Sequence, residues 1–261
     1  MRKQYPTFAA CVSNVGKKRQ KNEDDFYIYG YTRNESRNEM KPMVFERSLL
    51  DRWNSPWQFY AVFDGMGGGN YGEVASQTAA RGASECIKEN KIHPFDISIS
   101  LQTMCNELNE QVYRTAMNLG TNKMGTTLSS LFFYKGLFWV CNLGDSKAFL
   151  LRKGKLYQIS KDHTDEVEMQ QNNITGRKPY VTQYLGVDPL EMRLEPYIQS
   201  FEMQENDWFL ICSDGLTDMV PKEHIQRIMS NSVTVEVCTR KLLDAALSAG
   251  GIDNITIMVI A

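Results

Sequence analysis

Hydrophobic positions recur along the chain in two spacings, and each spacing predicts a different kind of element. From Val74 to Ile87, and again from Ser98 to Leu119, apolar residues return every three or four positions, which is typical of helices packed on a sheet. Gly120 is placed to end the second of these helices. The two predicted helices follow each other with no strand between them.

The other apolar runs are short, rich in aromatic and β-branched residues, and bounded by turn residues, as strands are. Predicted strands cover residues 8–13, 26–31, 57–63, 194–201, 207–213 and 255–260, and residues 124–159 form a meander of further strands. The turns Lys135-Gly136 and Lys153-Gly154 are too short for a parallel crossover, so the strands they join must be antiparallel. Pro221 and Thr234 open two more helices before the last strand. The pattern predicts an α+β protein with mainly antiparallel sheets.

Two polar stretches interrupt this pattern. Residues 32–56 are rich in Asn, Arg and Glu and predict a long loop inserted between two strands, while residues 164–181 predict a mobile flap. No repeat, low-complexity tract or linker divides the sequence. We therefore expect residues 1–261 to form a single domain.

Composition narrows the functional classes. With 42% hydrophobic residues in 261, the chain can bury one sizeable core, and a net charge of −2 argues against a partner that is nucleic acid or an anionic membrane. The six cysteines form no CxxC pair and lie mostly in apolar segments, as buried thiols in a reducing compartment do. No stretch approaches the ~20 apolar residues of a membrane span. We expect a cytoplasmic protein.

Carboxylates stand at the ends of several predicted strands. Asp64 and Asp214 each follow a strand, and Asp253 precedes the last one. Because the end of one antiparallel strand lies beside the beginning of its neighbour, these side chains can converge at one sheet edge, near Glu23 and Asp24 at another strand start. Such a cluster needs a compensating cation. Since no His or Cys accompanies it, the expected ion is a hard one, Mg²⁺ or Mn²⁺.

The motifs around these carboxylates resemble those of a known family. In chain order they are Arg19-x-x-x-Glu23-Asp24, Asp64-Gly65-Met66-Gly67-Gly68, Gly125-Thr126-Thr127, Gly144-Asp145-Ser146, Asp162-His163, Ser213-Asp214-Gly215-Leu216 and Asp253-Asn254. Together they resemble the metal-dependent protein serine/threonine phosphatases of the type-2C, or PPM, family, in that family's order and over nearly the whole chain. The resemblance implies a four-layer αββα sandwich, in which two antiparallel sheets are flanked by helix pairs.

The resemblance also implies roles for the matching residues. The implied metal ligands are Glu23, Asp24, Asp64, Gly65, Asp145, Asp214 and Asp253. Asp64 would bridge two Mn²⁺ or Mg²⁺ ions, one of them also bound by the Gly65 carbonyl, and Glu23 and Asp24 would belong to an outer shell. Asp145 would help Asp214 to hold a third, weaker ion. Arg19 would bind the substrate phosphate and, with Asp64 and Asp214, make up the catalytic set.

The implied reaction is hydrolysis of phosphoserine and phosphothreonine in proteins by a hydroxide that bridges the two ions, without a phosphoenzyme. Met66 occupies the place where many eukaryotic relatives have a histidine, and methionine there is similar to bacterial members. His163 is interpreted as a structural anchor of the flap. The implied enzyme is a monomer that reverses the action of a serine/threonine kinase.

Three other functions are considered. Gly67-x-Gly69-x-x-Gly72 matches the dinucleotide-binding fingerprint, but the predicted order of helix, helix and antiparallel strands contains no βαβ unit. A phosphatase with Asp64 as nucleophile would need a second acid two residues on, where Met66 stands. The remaining alternative is a catalytically silent family member that acts as a binding or regulatory module. It is disfavoured because Asp64, Asp214 and Asp253 are all present.

Overall fold

The computed structural model describes residues 6, 8–33, 42–46, 57–67 and 71–261. The strands in these residues are β1 (Phe8–Asn14), β2 (Asp24–Ile28), β3 (Met43–Glu46), β4 (Trp57–Met66), β5 (Gly125–Thr126), β6 (Leu128–Tyr134), β7 (Leu137–Leu143), β8 (Lys147–Arg152), β9 (Lys155–Gln158), β10 (Tyr197–Glu202), β11 (Trp208–Cys212) and β12 (Ile255–Ile260). The helices are α1 (Tyr71–Lys88), α2 (Ile97–Asn118), α3 (Glu166–Gln171), α4 (Asp214–Thr217), α5 (Lys222–Ser230) and α6 (Val235–Ser248).

The strands form two antiparallel sheets. The first sheet has the order β3-β1-β12-β11-β8-β9, and the second has the order β10-β7-β6-β4-β2, with β5 paired to β4. Helices α1 and α2 pack on the second sheet, and α5 and α6 pack on the first. This arrangement confirms the predicted αββα sandwich of two antiparallel sheets flanked by helix pairs.

Both faces of the central strands are buried, which explains why their sequences are almost continuously apolar. Along β4, Tyr60 and Val62 point into the cluster between the sheets, while Phe59, Ala61 and Phe63 belong to the cluster under α1 and α2. This alternation follows the two-residue period of a strand. The layer between the sheets is therefore a buried apolar cluster, and the carboxylates predicted to hold ions lie at its edge.

Three local predictions need correction. The predicted loop at 32–56 contains β3, which pairs with β1; residues 34–41 and 47–56 lie outside the described residues. The flap contains the short helix α3. Strand β4 continues beyond Phe63 to Met66, because β2 and then β5 supply hydrogen-bonding partners for Asp64 and the residues after it.

The predicted meander is divided between the sheets. Strands β6 and β7 belong to the second sheet, whereas β8 and β9 belong to the first. The chain crosses over at Gly144-Asp145-Ser146, where Gly144 adopts φ +96° and a Cβ would lie 2.6 Å from Cγ2 of Thr127. The crossover places Asp145 at the edge where the two sheets meet. Among the described helices, none combines the length and the apolar character needed to cross a membrane.

Candidate active site

Asp24 and Asp64 lie directly opposite each other on the paired strands β2 and β4. Asp64 is fixed through its backbone: Thr127 accepts a hydrogen bond from the Asp64 N–H on its hydroxyl (3.0 Å) and donates its own N–H to the Asp64 carbonyl (2.9 Å). The Thr127 hydroxyl is also 2.7 Å from that of Ser146, beside Asp145. One threonine thus connects the end of β4 to the crossover between the sheets.

Asp24 connects the two sheets. Its carboxylate is buried and accepts a hydrogen bond of 2.7 Å from the Ser213 hydroxyl, which itself accepts a hydrogen bond of 2.9 Å from the Thr256 N–H. Ser213 and Thr256 lie on the first sheet's side, whereas Asp24 belongs to the second sheet. Burial raises the pKa of Asp24 to about 7, although the hydrogen bonds from Ser213 and Thr256 oppose the shift.

Two glycines allow the Glu23 carboxylate to approach the start of α1. A Cβ on Gly72 would lie 2.7 Å from Oε1 of Glu23, and a Cβ on Gly65 would lie 2.4 Å from the Glu23 carbonyl. The Gly65 N–H donates to that carbonyl at 3.1 Å. Burial raises the pKa of Glu23, and a hydrogen bond from the Gly72 backbone partly offsets this effect.

Asn254 holds the loop that carries Glu23 and Arg19. Its side-chain oxygen accepts the Glu23 N–H at 2.7 Å, and its amide nitrogen donates to the carbonyls of Val15 and Lys21 at 3.0 and 2.9 Å. Arg19, whose side chain is 50% exposed, forms an ion pair of 2.7 Å with Asp253. That hydrogen bond raises the pKa of Arg19, so its guanidinium stays charged at the mouth of the site.

The predicted residues line one cavity of about 570 Å³. Its acidic wall and mouth consist of Arg19, Glu23, Asp64, Gly65, Asp145, Asp214 and Asp253. The opposite wall is formed by residues 122–125 and by part of the flap, including Lys178 and Tyr180. Asp24 lies behind this wall as a buried support. The structure therefore brings all the sequence-predicted site residues to the edge where the two sheets meet.

The electrostatics of this wall favour a cation. The pKa of Asp64 is raised well above its usual range, first by burial and then by the charges of Asp214, Asp24, Asp145 and Asp253. The pKa of Asp145 is raised to about 6 by burial and by Asp214. Carboxylates that raise each other's pKa become ionised together when a positive charge lies between them.

We tested whether these residues fit a divalent ion. The donors are carboxylate and carbonyl oxygens, which suits Mg²⁺ or Mn²⁺. In the described residues, no three acidic, histidine or cysteine side chains are already arranged as a closed set of ligands. Asp253 is instead paired with Arg19, and Asp214 with Lys178. These oxygen donors fit a divalent ion, and two of them, Asp253 and Asp214, form ion pairs with Arg19 and Lys178.

The sequence analysis assigns no role to the residues that support this wall. Thr127, Ser213 and Asn254 belong to the motifs around the carboxylates, and their place in those motifs is the signal that the sequence offers. Lys178 lies in the polar flap and carries no motif. His163 is predicted to have a structural or flap-anchoring role; its backbone N–H donates to the Gly144 carbonyl (3.0 Å), and its carbonyl accepts from the Thr182 N–H (2.8 Å) at the base of the flap.

Comparison with known proteins agrees with this geometry. Residues 48–248 match the protein phosphatase 2C family. The serine/threonine phosphatase stp of Listeria monocytogenes serotype 4b (strain F2365) is 32% identical over 210 residues, covering 76% of this chain and 82% of stp. The crystal structure of the Mycobacterium tuberculosis serine/threonine phosphatase PstP/Ppp superposes on this chain with a TM-score of 0.77. The two sequences are 26% identical, and the match covers 97% of this chain and 98% of that one.

A crystal structure of the PstP catalytic domain in complex with two manganese ions superposes with a TM-score of 0.74 at 26% identity, covering 97% of this chain and 98% of that one. The family match, the similarity to stp and the oxygen-lined cavity agree on one assignment. The chain belongs to the protein phosphatase 2C family and is a metal-dependent protein serine/threonine phosphatase.

Proposed function

We propose that the chain uses Asp64, Asp214 and Asp253 to hold two divalent ions and Arg19 to bind the phosphate of a phosphoserine or phosphothreonine. The observation that carries this proposal is that all four residues line the same cavity, which is open to solvent and wide enough for a phosphorylated side chain. When bound, Mn²⁺ or Mg²⁺ supplies activation of the attacking water and neutralisation of phosphate charge. Either metal suits the oxygen donors.

Each carboxylate has a place in this proposal. The charges of Asp214 and Asp253 act on Asp64 in the same cavity, so Asp64 would serve as the shared ligand, with the neighbouring Gly65 offering its carbonyl. Glu23 and Asp24 act from the outer shell: Glu23 lies at the start of α1, and Asp24 is held by Ser213 behind the wall. For a third ion, the donors that the chain offers are Asp145 and Asp214.

Arg19 binds phosphate through N–H groups that Asp253 does not use. The ion pair with Asp253 engages one guanidinium nitrogen and holds the group at the cavity mouth. The other N–H groups can donate to two phosphate oxygens at once, which a lysine ammonium cannot reproduce. No side chain is required to become phosphorylated, because water is the nucleophile.

The cellular setting follows from the same chemistry. We propose that the substrates are phosphoproteins produced by a serine/threonine kinase and that the enzyme acts as a monomer. All six cysteines are free and buried, which supports a reducing compartment such as the cytoplasm. Size-exclusion chromatography with light scattering tests the monomer, and a mass near twice the 29.9 kDa of the chain would contradict it.

The decisive experiment is hydrolysis of a phosphothreonine peptide by metal-stripped protein, into which Mn²⁺ or Mg²⁺ is titrated. Activity should appear only with metal, and Asp214→Asn should lower kcat/KM by about 100-fold or more, since loss of even an outer-shell group typically costs 10- to 100-fold. Asp244→Asn is the matched control, because Asp244 is exposed on α6, outside the cavity.

Two outcomes would contradict the proposal. Turnover without metal would show that the ions take no part in the reaction. Equal activity in the Asp214→Asn and Asp244→Asn variants would show that Asp214 has no role in the site. A titration of Mn²⁺ by calorimetry on the same variants separates loss of ion binding from loss of catalysis.

A further inference from the structure

Lys178 lies among three carboxylates on one side of the cavity. Its ammonium contacts Oδ2 of Asp214, lies 2.8 Å from Oδ2 of Asp218 and 3.8 Å from Oδ2 of Asp145. Asp214 and Asp145 are the two donors available for a third ion. The ammonium therefore lies beside both of these donors, in contact with Asp214 and within ion-pair distance of Asp145.

The flap is built to hold Lys178 in this place. Asp165 accepts hydrogen bonds from the Arg177 guanidinium (2.5 Å) and from the Tyr180 N–H (2.7 Å), so it fixes the residues on both sides of Lys178. Arg177 also lies over the Tyr180 ring, 4.0 Å from its centroid. A bridge between Thr164 and Val181 closes the base of the flap. The lysine is presented by a pre-formed loop.

The positions of the other cations along the wall leave Lys178 to neutralise the carboxylates of Asp214 and Asp218. Arg19 pairs with Asp253 at the other end of the wall, and Lys147, which donates to the Asp145 carbonyl at 3.0 Å, pairs with the Asp162 carboxylate. Among the described residues, Lys178 is the cation that contacts the carboxylates of Asp214 and Asp218. A divalent ion bound to the Asp145 and Asp214 carboxylates would lie about 2.0–2.6 Å from their oxygens. An ammonium that stays in contact with the Asp214 carboxylate would repel an ion so placed, because both are cations; the half exposure of the Lys178 side chain to water weakens this repulsion without removing it.

We propose that Lys178 is the resident cation of the Asp145–Asp214–Asp218 cluster, so that the enzyme works with two divalent ions and admits a third only when the flap withdraws the lysine. This inference rests on the proposed function for the two ions at Asp64. It assigns Lys178 as a positioning residue, which neutralises Asp145 and Asp214 and couples flap position to the number of bound ions.

The test is the number and affinity of Mn²⁺ ions bound by metal-stripped protein, measured by electron paramagnetic resonance of free Mn²⁺. The wild-type protein should bind two ions. Lys178→Met, which keeps the length of the side chain without its charge, should bind a third at least about tenfold more tightly than the wild type does, because a like charge has been removed. Lys178→Arg and the control Lys161→Met, at an exposed position near the base of the flap, should behave as the wild type.

A second variant tests whether the flap holds Lys178 in place. Asp165→Asn leaves the acidic cluster intact but weakens the hold on Arg177 and Tyr180, so it should also raise affinity for the third ion, by less than Lys178→Met does. Equal affinity for a third ion in the wild type and Lys178→Met would overturn the inference, while metal-dependent hydrolysis would still stand. Failure of the wild type to bind any Mn²⁺ would instead refute the proposed two-ion site and this inference with it.

Discussion

Ser213→Ala is the substitution through which the connection between the two sheets can be measured most directly. The hydroxyl of Ser213 donates to the buried carboxylate of Asp24 at 2.7 Å and accepts the Thr256 N–H at 2.9 Å. Alanine removes both hydrogen bonds and leaves two buried polar groups with fewer partners. The expected result is a less stable protein with a displaced Asp24.

The magnitude follows from the two contacts. Above pH 7, where Asp24 is ionised, a hydrogen bond to its charged carboxylate contributes about 1.5–3 kcal/mol, and a buried N–H left without its acceptor costs about 1–3 kcal/mol. Allowing for partial relaxation, we expect Ser213→Ala to lower the free energy of unfolding by about 3 kcal/mol. At roughly 2–4 °C per kcal/mol in a chain of this size, Tm should fall by about 6–12 °C.

Ser129→Ala provides the matched control. Ser129 is equally buried, yet among the described residues its hydroxyl has no hydrogen-bond partner. Removing an unpartnered buried hydroxyl should leave the free energy of unfolding within about 1 kcal/mol of the wild type. Urea denaturation of both variants in EDTA, which prevents ion binding from adding to stability, gives the comparison. Equal losses in the two variants would refute the reasoning.

Two further predictions concern the site itself. Gly72→Ala should lower Mn²⁺ affinity by about 10- to 100-fold, because the new Cβ would lie 2.7 Å from Glu23 Oε1 and 2.9 Å from the Gly65 carbonyl oxygen. An unchanged calorimetric affinity would contradict the roles of Glu23 and Gly65. Arg19→Lys should raise KM for a phosphopeptide about tenfold or more with little change in Mn²⁺ affinity, since lysine keeps the charge and loses the paired donors. Steady-state kinetics with saturating Mn²⁺ measures this effect, and an unchanged KM would exclude Arg19 from phosphate binding.

The convergence of the carboxylates could be predicted because it follows from strand polarity alone. Asp64 lies near the end of β4, Asp214 follows β11 and Asp253 precedes β12, and antiparallel pairing brings such positions to a common edge. The continuous apolar run of β4 likewise predicts that both faces of this strand are buried. These features depend on local pattern and on one rule of sheet geometry.

Other features depend on contacts between distant segments, and the sequence contains no local signal for them. The turn at Gly144 is compatible with a hairpin, and only the packing of two sheets decides that β8 joins β11 instead of β7. Strand β3 lies in a polar stretch without apolar periodicity, so its pairing with β1 could not be predicted. Lys178 comes from a flap, and its carboxylate partners, Asp214 and Asp218, lie more than thirty positions away in sequence.

The place of β12 in the first sheet has a consequence for folding during synthesis. This strand lies between β1 and β11, and its register joins Asn14 to Ile255 and Ala9 to Ile260. A nascent chain that has not yet extended through β12 therefore lacks the central strand of one sheet, together with Asp253 and Asn254 just before it. The proposed ion site needs Asp253, so we expect phosphatase activity to begin only after β12 has been synthesised.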